Sequence, residues 1–203
     1  LTVFRDIQEL LPQYDYIYLG DNARSPYGTR SLDTVHRFTL EGVDELFRRG
    51  CHLVILACNT ASANALPKIQ QQELKSRGEH KRVLGVIRST TERLAELSPV
   101  GHLGLMATEA TVNSQSYLIE AEKYASNVKI SQQACPMWVP LIENDGTKWV
   151  EPILQEYIQP LIENKVESII LGCTHYPLLK EKIVKVLGDH KADIISQDEI
   201  VPD

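Results

Sequence analysis

The sequence predicts an α/β fold of two pseudo-symmetric lobes, each a mainly parallel sheet flanked by helices, with the active site in the cleft between them. Three observations carry that expectation. Apolar runs of strand length alternate with amphipathic stretches of helix length along the whole chain, and a parallel crossover needs a connection of helical length. One pattern occurs twice, as His52-Leu53-Val54-Ile55-Leu56-Ala57-Cys58-Asn59-Thr60 and as Glu167-Ser168-Ile169-Ile170-Leu171-Gly172-Cys173-Thr174-His175: an apolar strand, a small residue, a cysteine, then polar side chains. The copies fall on either side of the Ser98-Pro99 step, which divides the chain into an N-terminal lobe, 1–97, carrying Cys58, and a C-terminal lobe, 98–203, carrying Cys173. The last residues are expected to return to the first lobe.

Taken in order, Val3, Phe4, Ile7, Leu10 and Leu11 form a helical stripe over 1–11 that Pro12 closes. Residues 16–19 read as a strand and 20–28 (GDNARSPYG) as a polar loop with Pro and Gly punctuation. An amphipathic helix is expected over 31–49, with Gly50 placed to cap its C-terminus. Strand 52–57 leads into a helix opening near Thr60 and running to 76, and strand 83–87 into a helix around 90–97. The second half predicts strand 101–106, a helix near 112–125, strand 128–132, helix 147–163, strand 167–172, helix 177–187 and a last strand near 193–196.

Composition excludes several classes of function. A chain that is 43% hydrophobic and 24% charged is built to fold rather than to stay disordered. Its net charge of −6, with no cluster of Lys or Arg on one expected face, argues against nucleic acid or an anionic membrane as the main partner. No apolar segment reaches the ~18 residues of a membrane span and no signal peptide precedes the first helix, so a cytoplasmic location is expected. Reduced thiols follow from that, and Cys51 and Cys135 read as packing. Cys173 and His175 are metal-ligand types without the paired spacing of a zinc site, and neither a G-x-G-x-x-G nor a Walker loop is present. Neither a metal nor a cofactor is therefore expected.

The chemistry should sit where ligands collect in open α/β sheets, at the carboxyl ends of strands. A thiol there, followed by a helix N-terminus, feels backbone N–H groups and the positive end of the helix dipole, an arrangement expected to lower its pKa from about 8.5. Asn59 and Thr60 offer an amide and a hydroxyl to a carboxylate, and Thr60 also suits the cap of the following helix. His175 lies close enough to Cys173 to serve as its proton partner or to hold a carboxylate. Gly20-Asp21-Asn22 and Pro26-Tyr27-Gly28 bring small residues that let backbone N–H groups approach an anion, though an ordinary turn would use the same residues. In 135–143, Trp138 reads as core, and Glu143 is the ionisable group that could line a cleft. Two opposed thiols without a cofactor suit proton transfer at carbon, one removing an α-hydrogen and the other returning a proton to the opposite face. A thiol redox pair and a ligand-binding protein without catalysis are the rival readings.

The segments LGDNARSPYGTRS, VILACNTASA, QACPMWVPLIE and IILGCTHYPLL resemble those of the glutamate racemase family, and the resemblance spans essentially the whole chain. ACNTASA or GCTHYPLL alone would indicate only the broader aspartate/glutamate racemase superfamily, and CPMWVPLIE narrows it. The resemblance implies a cofactor-independent homodimer that acts on glutamate and supplies D-glutamate for peptidoglycan. It implies that Cys58 acts on the D-enantiomer and Cys173, with His175, on the L-enantiomer. Tyr27, Gly28, Asn59, Thr60, Thr174 and His175 would hold the substrate's carboxylates and ammonium. A related aspartate or hydantoin racemase is the alternative within the superfamily. Members of the family open with a strand and an Asp-Ser-Gly-x-x-Gly-Gly loop just before a Leu-Thr-Val like Leu1-Thr2-Val3, where this chain starts, and a protein lacking that loop is expected to racemise little. The chain also stops short of the family's closing helix, carries Arg88-Ser89 where an acidic residue and Pro are frequent, and has Ala107 in place of the Gly before Thr108.

Overall fold

In the computed structural model, which describes residues 2–97 and 101–197, the strands sort into two parallel sheets. The first pairs β1 (Leu53–Leu56) with β2 (Arg82–Gly85), Leu53 opposite Arg82 and Leu56 opposite Gly85. The second contains β3 (His102–Ala107), β4 (Lys129–Ala134), β5 (Ser168–Gly172) and β6 (Asp193–Ser196) in the order β4-β3-β5-β6. All of its pairings are parallel. The α/β class holds, and two sheets are consistent with two lobes. The Ser98-Pro99 step lies outside the described residues.

The two central strands of the four-stranded sheet, β3 and β5, are buried on both faces, as parallel sheets require. One face packs Ile169 and Leu171 against Trp138, Val150, Leu154, Ile158 and Ile183. The other packs Leu103, Leu105 and Ile170 against Tyr117, Ala63, Ile87 and Leu94. Ile87 and Leu94 belong to α5 (Val86–Leu97), so a helix that follows β2 of the first sheet shares the core of the second. In the two-stranded sheet the alternation is half-buried: Val54 and Val83 pack on Val35 and Val43, while Leu53, Ile55 and Leu84 are exposed.

Helix α1 (Thr2–Leu10) forms as expected, and α2 (Leu32–Arg48) starts on a Ser31 side chain that accepts from the Thr34 N–H and ends before Gly50 at φ 94°. The helix expected over 60–76 is present only in pieces: α3 (Asn59–Asn64), α4 (Leu66–Lys68), a π turn at Ile69–Glu73 and a 3-10 turn at Leu74–Arg77. Asn59, rather than Thr60, opens α3, with Cys58 in the capping position. Strand β2 ends at Gly85 because the Ser62 hydroxyl takes the Val86 N–H at 3.3 Å, and the chain turns into α5 there instead of continuing to 87. The helix near 112–125 is split into α6 (Glu109–Asn113) and α7 (Ser116–Tyr124) at Gln115, whose φ is 56°. Three further helices are α8 (Trp138–Glu143), α9 (Val150–Glu163) and α10 (Lys180–Leu187), and 3-10 turns precede the last two. Pro140 is tolerated in α8 because the first turn of a helix has no use for its N–H.

The strand expected at 16–19 does not form. Among the described residues no strand pairs with it, and Ile17, Tyr18 and Leu19 are exposed. Its aromatics are used locally instead: Tyr16 meets the Phe4 ring edge-to-face, Tyr18 packs tilted against it, and the Tyr16 hydroxyl donates to the Leu11 carbonyl at 2.7 Å.

At the end of β5, a Cβ on Gly172 would lie 2.7 Å from Leu105 Cδ1 and 3.2 Å from the Met106 carbonyl oxygen. Gly172→Ala should therefore lower the unfolding free energy by about 1–3 kcal/mol, measured by urea titration. A change below the error of that titration would show that β5 and β3 are not packed this closely.

Candidate active site

Cys58 follows β1 and stands at the N-cap of α3, partly exposed. Cys173 follows β5 and is buried, with a turn rather than a regular helix beyond it. Burial pushes the Cys58 thiol up, while the N–H groups of Ala61 and Thr60 and the Thr60 hydroxyl pull it down without reversing the shift. Burial pushes the Cys173 thiol up to about 12, against the N–H groups of His175 and Tyr176, and a charge on Cys58 adds to the rise. The lowered thiol pKa expected from the helix N-terminus is thus corrected. The backbone donors act in the expected direction, but desolvation outweighs them.

The two thiols differ in their side-chain partners. His175 Nδ1 lies 3.8 Å from Cys173 Sγ, and its Nε2 pairs with the Glu143 carboxylate from α8. Glu143 as acceptor fixes the proton on Nε2 and leaves the Nδ1 lone pair facing the thiol. Cys58 has the Thr60 hydroxyl and backbone N–H groups. Thr174 sits partly exposed between Cys173 and His175.

Around Cys58, the loop ending in Tyr27 and Gly28 meets the end of β3. A Cβ on Gly28 would lie 2.8 Å from Thr108 Cγ2, so the loop approaches this closely only with glycine there. Thr108 caps α6 by accepting from the Thr111 N–H, and its hydroxyl lies 2.9 Å from that of Thr60. The Tyr27 hydroxyl donates to Asp21, which also accepts from Arg24 Nε at 2.9 Å. Burial pushes the Asp21 carboxyl up, but those bonds outweigh it and hold it below the usual range. Burial and the neighbouring Asp21 carboxylate push the Tyr27 phenol up, keeping it a donor. Asn59, 2% exposed, points into a buried polar cluster formed by Thr90, Tyr117 and Gln197.

The structure thus gathers Tyr27, Gly28, Cys58 and Thr60 around Thr108, sets Thr174 and His175 beside Cys173, and brings the two groups within electrostatic range of each other. Thr108 carries a strand-end signal like that of the cysteines. Thr90, Tyr117 and Gln197 carry no sequence signal, since their partners lie up to 138 positions away.

Residues 2–195 match the family described as Asp/Glu/Hydantoin racemase. The chain belongs to that family. It is 39% identical over 201 residues to the glutamate racemase of Geobacter metallireducens, which spans 98% of this chain and 72% of the relative. Among solved racemases, the glutamate racemase of Bacillus anthracis superposes with a TM-score of 0.88 at 32% identity, over 99% of this chain and 74% of that one. The Francisella tularensis glutamate racemase, solved in complex with D-glutamate, superposes with a TM-score of 0.84 at 32% identity, over 97% of this chain and 72% of that one.

For a racemase of this family, raised thiol pKa values mean that both cysteines are held protonated near neutrality. A thiol is neutral when protonated, so a rise favours the proton and thiolate accumulates only above the ordinary thiol range. In a titration followed by thiolate ultraviolet absorbance without substrate, the steps removed by Cys58→Ser and by Cys173→Ser should both lie above about pH 9. A removed step near pH 7 would show that the backbone donors outweigh burial.

Proposed function

We propose that this chain is a cofactor-independent glutamate racemase in which Cys58 and Cys173 carry the two protons. One observation carries the proposal. Two strand-end thiols are brought to one edge, Cys58 by Thr60, whose hydroxyl meets Thr108 just beyond Ala107, and Cys173 just beyond Gly172, which lies opposite Ala107, in a chain whose relatives are named glutamate racemases. A thiolate on one side takes the α-hydrogen as a proton, leaving its electron pair on the α-carbon and delocalised into the carboxylate. The thiol on the other side gives its proton to the opposite face. The charges on the two sulfurs are exchanged in each turnover, so the enzyme that releases one enantiomer is poised to accept that same enantiomer back.

In this reading Cys58 acts on D-glutamate and Cys173 on L-glutamate. His175, held by Glu143, takes the Cys173 proton at Nδ1 and returns it, which lets a thiol with a pKa near 12 supply thiolate. Tyr27, Gly28, Asn59, Thr60, Thr174 and His175 hold the carboxylates and ammonium, positioned by the strand ends they follow. The cleft lies between the lobes 1–97 and 98–203, with α5 packed across. A cytoplasmic homodimer supplying D-glutamate for peptidoglycan completes the proposal, and no helix among the described residues is long and apolar enough to cross a membrane.

Circular dichroism of the full-length protein with L- and D-glutamate and with L- and D-aspartate tests the substrate. Glutamate should invert in both directions, and aspartate turnover without glutamate turnover would overturn the assignment. Cys58→Ser and Cys173→Ser should each lower kcat/KM by roughly 10³-fold or more while leaving the fold intact. Near wild-type racemisation by either variant would refute the two-thiol mechanism. Glu143→Gln should lower kcat/KM by roughly 10-fold to 100-fold. The two directions must fall equally, because the equilibrium constant of a racemisation is one, while the α-deuterium isotope effect should grow when L-glutamate is the substrate.

A further inference from the structure

Next to Cys58, the side-chain amides of Asn59 and Gln197 form a two-bond pair although 138 positions separate them. Asn59 Nδ2 donates to Gln197 Oε1, and Gln197 Nε2 lies 2.9 Å from Asn59 Oδ1. Gln197 Nε2 also lies 3.1 Å from Thr90 Oγ1 and 2.9 Å from the Tyr117 hydroxyl, which in turn donates to Asn59 Oδ1 at 2.8 Å. All four side chains are buried, none more than 2% exposed.

Geometry alone would let both amides flip together, exchanging donors for acceptors. The Thr90 hydroxyl breaks that tie. Its single proton goes to the Val86 carbonyl at 2.8 Å, so toward Gln197 it can only accept. Gln197 must therefore turn its NH2 toward Thr90 and its carbonyl toward Asn59. Asn59 Oδ1 then accepts from both Tyr117 and Gln197, which saturates its two lone pairs, and Nδ2 keeps one N–H beyond the bond to Gln197. Asn59 is left as a donor without acceptor capacity.

We infer that Gln197, through this chain from the Val86 carbonyl, is the positioning residue that fixes Asn59 as an N–H donor for a substrate carboxylate and denies it the acceptor role an ammonium would need. The inference rests on the proposed function for the identity of the carboxylate. The orientation itself rests on the hydrogen bonds alone.

Two measurements on the full-length protein separate these levels. In nitrogen-proton NMR, the Asn59 side-chain NH2 pair, assigned by its loss in Asn59→Leu, should be protected from hydrogen exchange in the wild type and lose that protection in Gln197→Leu, which keeps side-chain bulk without polar atoms. Equal protection in both proteins overturns the inference whatever the enzyme turns over. In racemisation assays, Gln197→Leu should raise KM for glutamate roughly tenfold, the loss of one hydrogen bond to a charged group, with kcat changed less than about threefold. Tyr117→Phe removes a bond to Asn59 Oδ1 but leaves Gln197 to set the amide, and its KM should stay within about threefold of wild type. A Gln197→Leu protein with unchanged KM, or one in which kcat falls with the folded fraction while KM holds, overturns the positioning role. A wild type that does not racemise glutamate removes the substrate assignment but leaves the exchange result to decide the orientation.

Discussion

One side chain joins the parts of this molecule that come from different sheets. Thr108 follows β3, one of the two strands paired on both sides in the four-stranded sheet, and its oxygen caps α6, meets the Thr60 hydroxyl and lies beside the loop that carries Gly28. A parallel sheet sends its carboxyl ends to one edge, and that constraint delivers Thr108 and Cys173 to the same place. Cys58 arrives from the other sheet. It is brought into register with that edge by Thr60, two positions on, bonding to Thr108. Together with the Asn59–Gln197 pair and the packing of α5 on the second sheet, this joint brings the two strand ends of the repeated pattern to one place.

The thiols at that edge are under opposed influences. Backbone N–H groups favour thiolate at both, burial favours thiol at both, and burial is the larger influence. In the proposed reaction, where a thiolate takes a proton from carbon, this balance has a specific advantage. A thiolate that is poorly solvated is a stronger base than one in water, and the reaction needs a strong base briefly rather than a large standing population of charge. The sites are also unequal, with the His175 and Glu143 pair on the Cys173 side and donors alone on the Cys58 side. The twofold pattern of the sequence has been built into two different acid–base environments.

Period and punctuation made the architecture readable. The alternation of strands with helices, the Ser31 and Gly50 caps, and β6 at 193–196 all stand where local rules put them. The failures share a cause, which is that a distant partner decided the local structure. Residues 16–19 have strand composition but no strand beside them among the described residues, and β2 stops at Gly85 because Ser62 takes the next N–H. The strand-end positions of Cys58 and Cys173 were legible because the apolar run before each has strand length and a small residue closes it. The protonation balance was not, because a helix N-terminus is visible in sequence and the degree of burial is not. Asn59 was legible as a polar side chain next to a thiol. The orientation of its amide depends on Gln197 and on a hydroxyl proton committed to Val86, relations that no local pattern records.

The contact between Gly28 and Thr108 also has an evolutionary reading. A Cβ added at 28 would lie 2.8 Å from the Thr108 methyl and 2.9 Å from the Thr108 Cβ, so a side chain there collides with Thr108 and removing the methyl alone does not clear the space. A mutational path away from this pair is therefore ordered. Position 108 has to lose its Cβ, or the backbone has to part, before the loop can acquire a side chain: serine at 108 keeps that Cβ in the way, and glycine there discards the hydroxyl that meets Thr60.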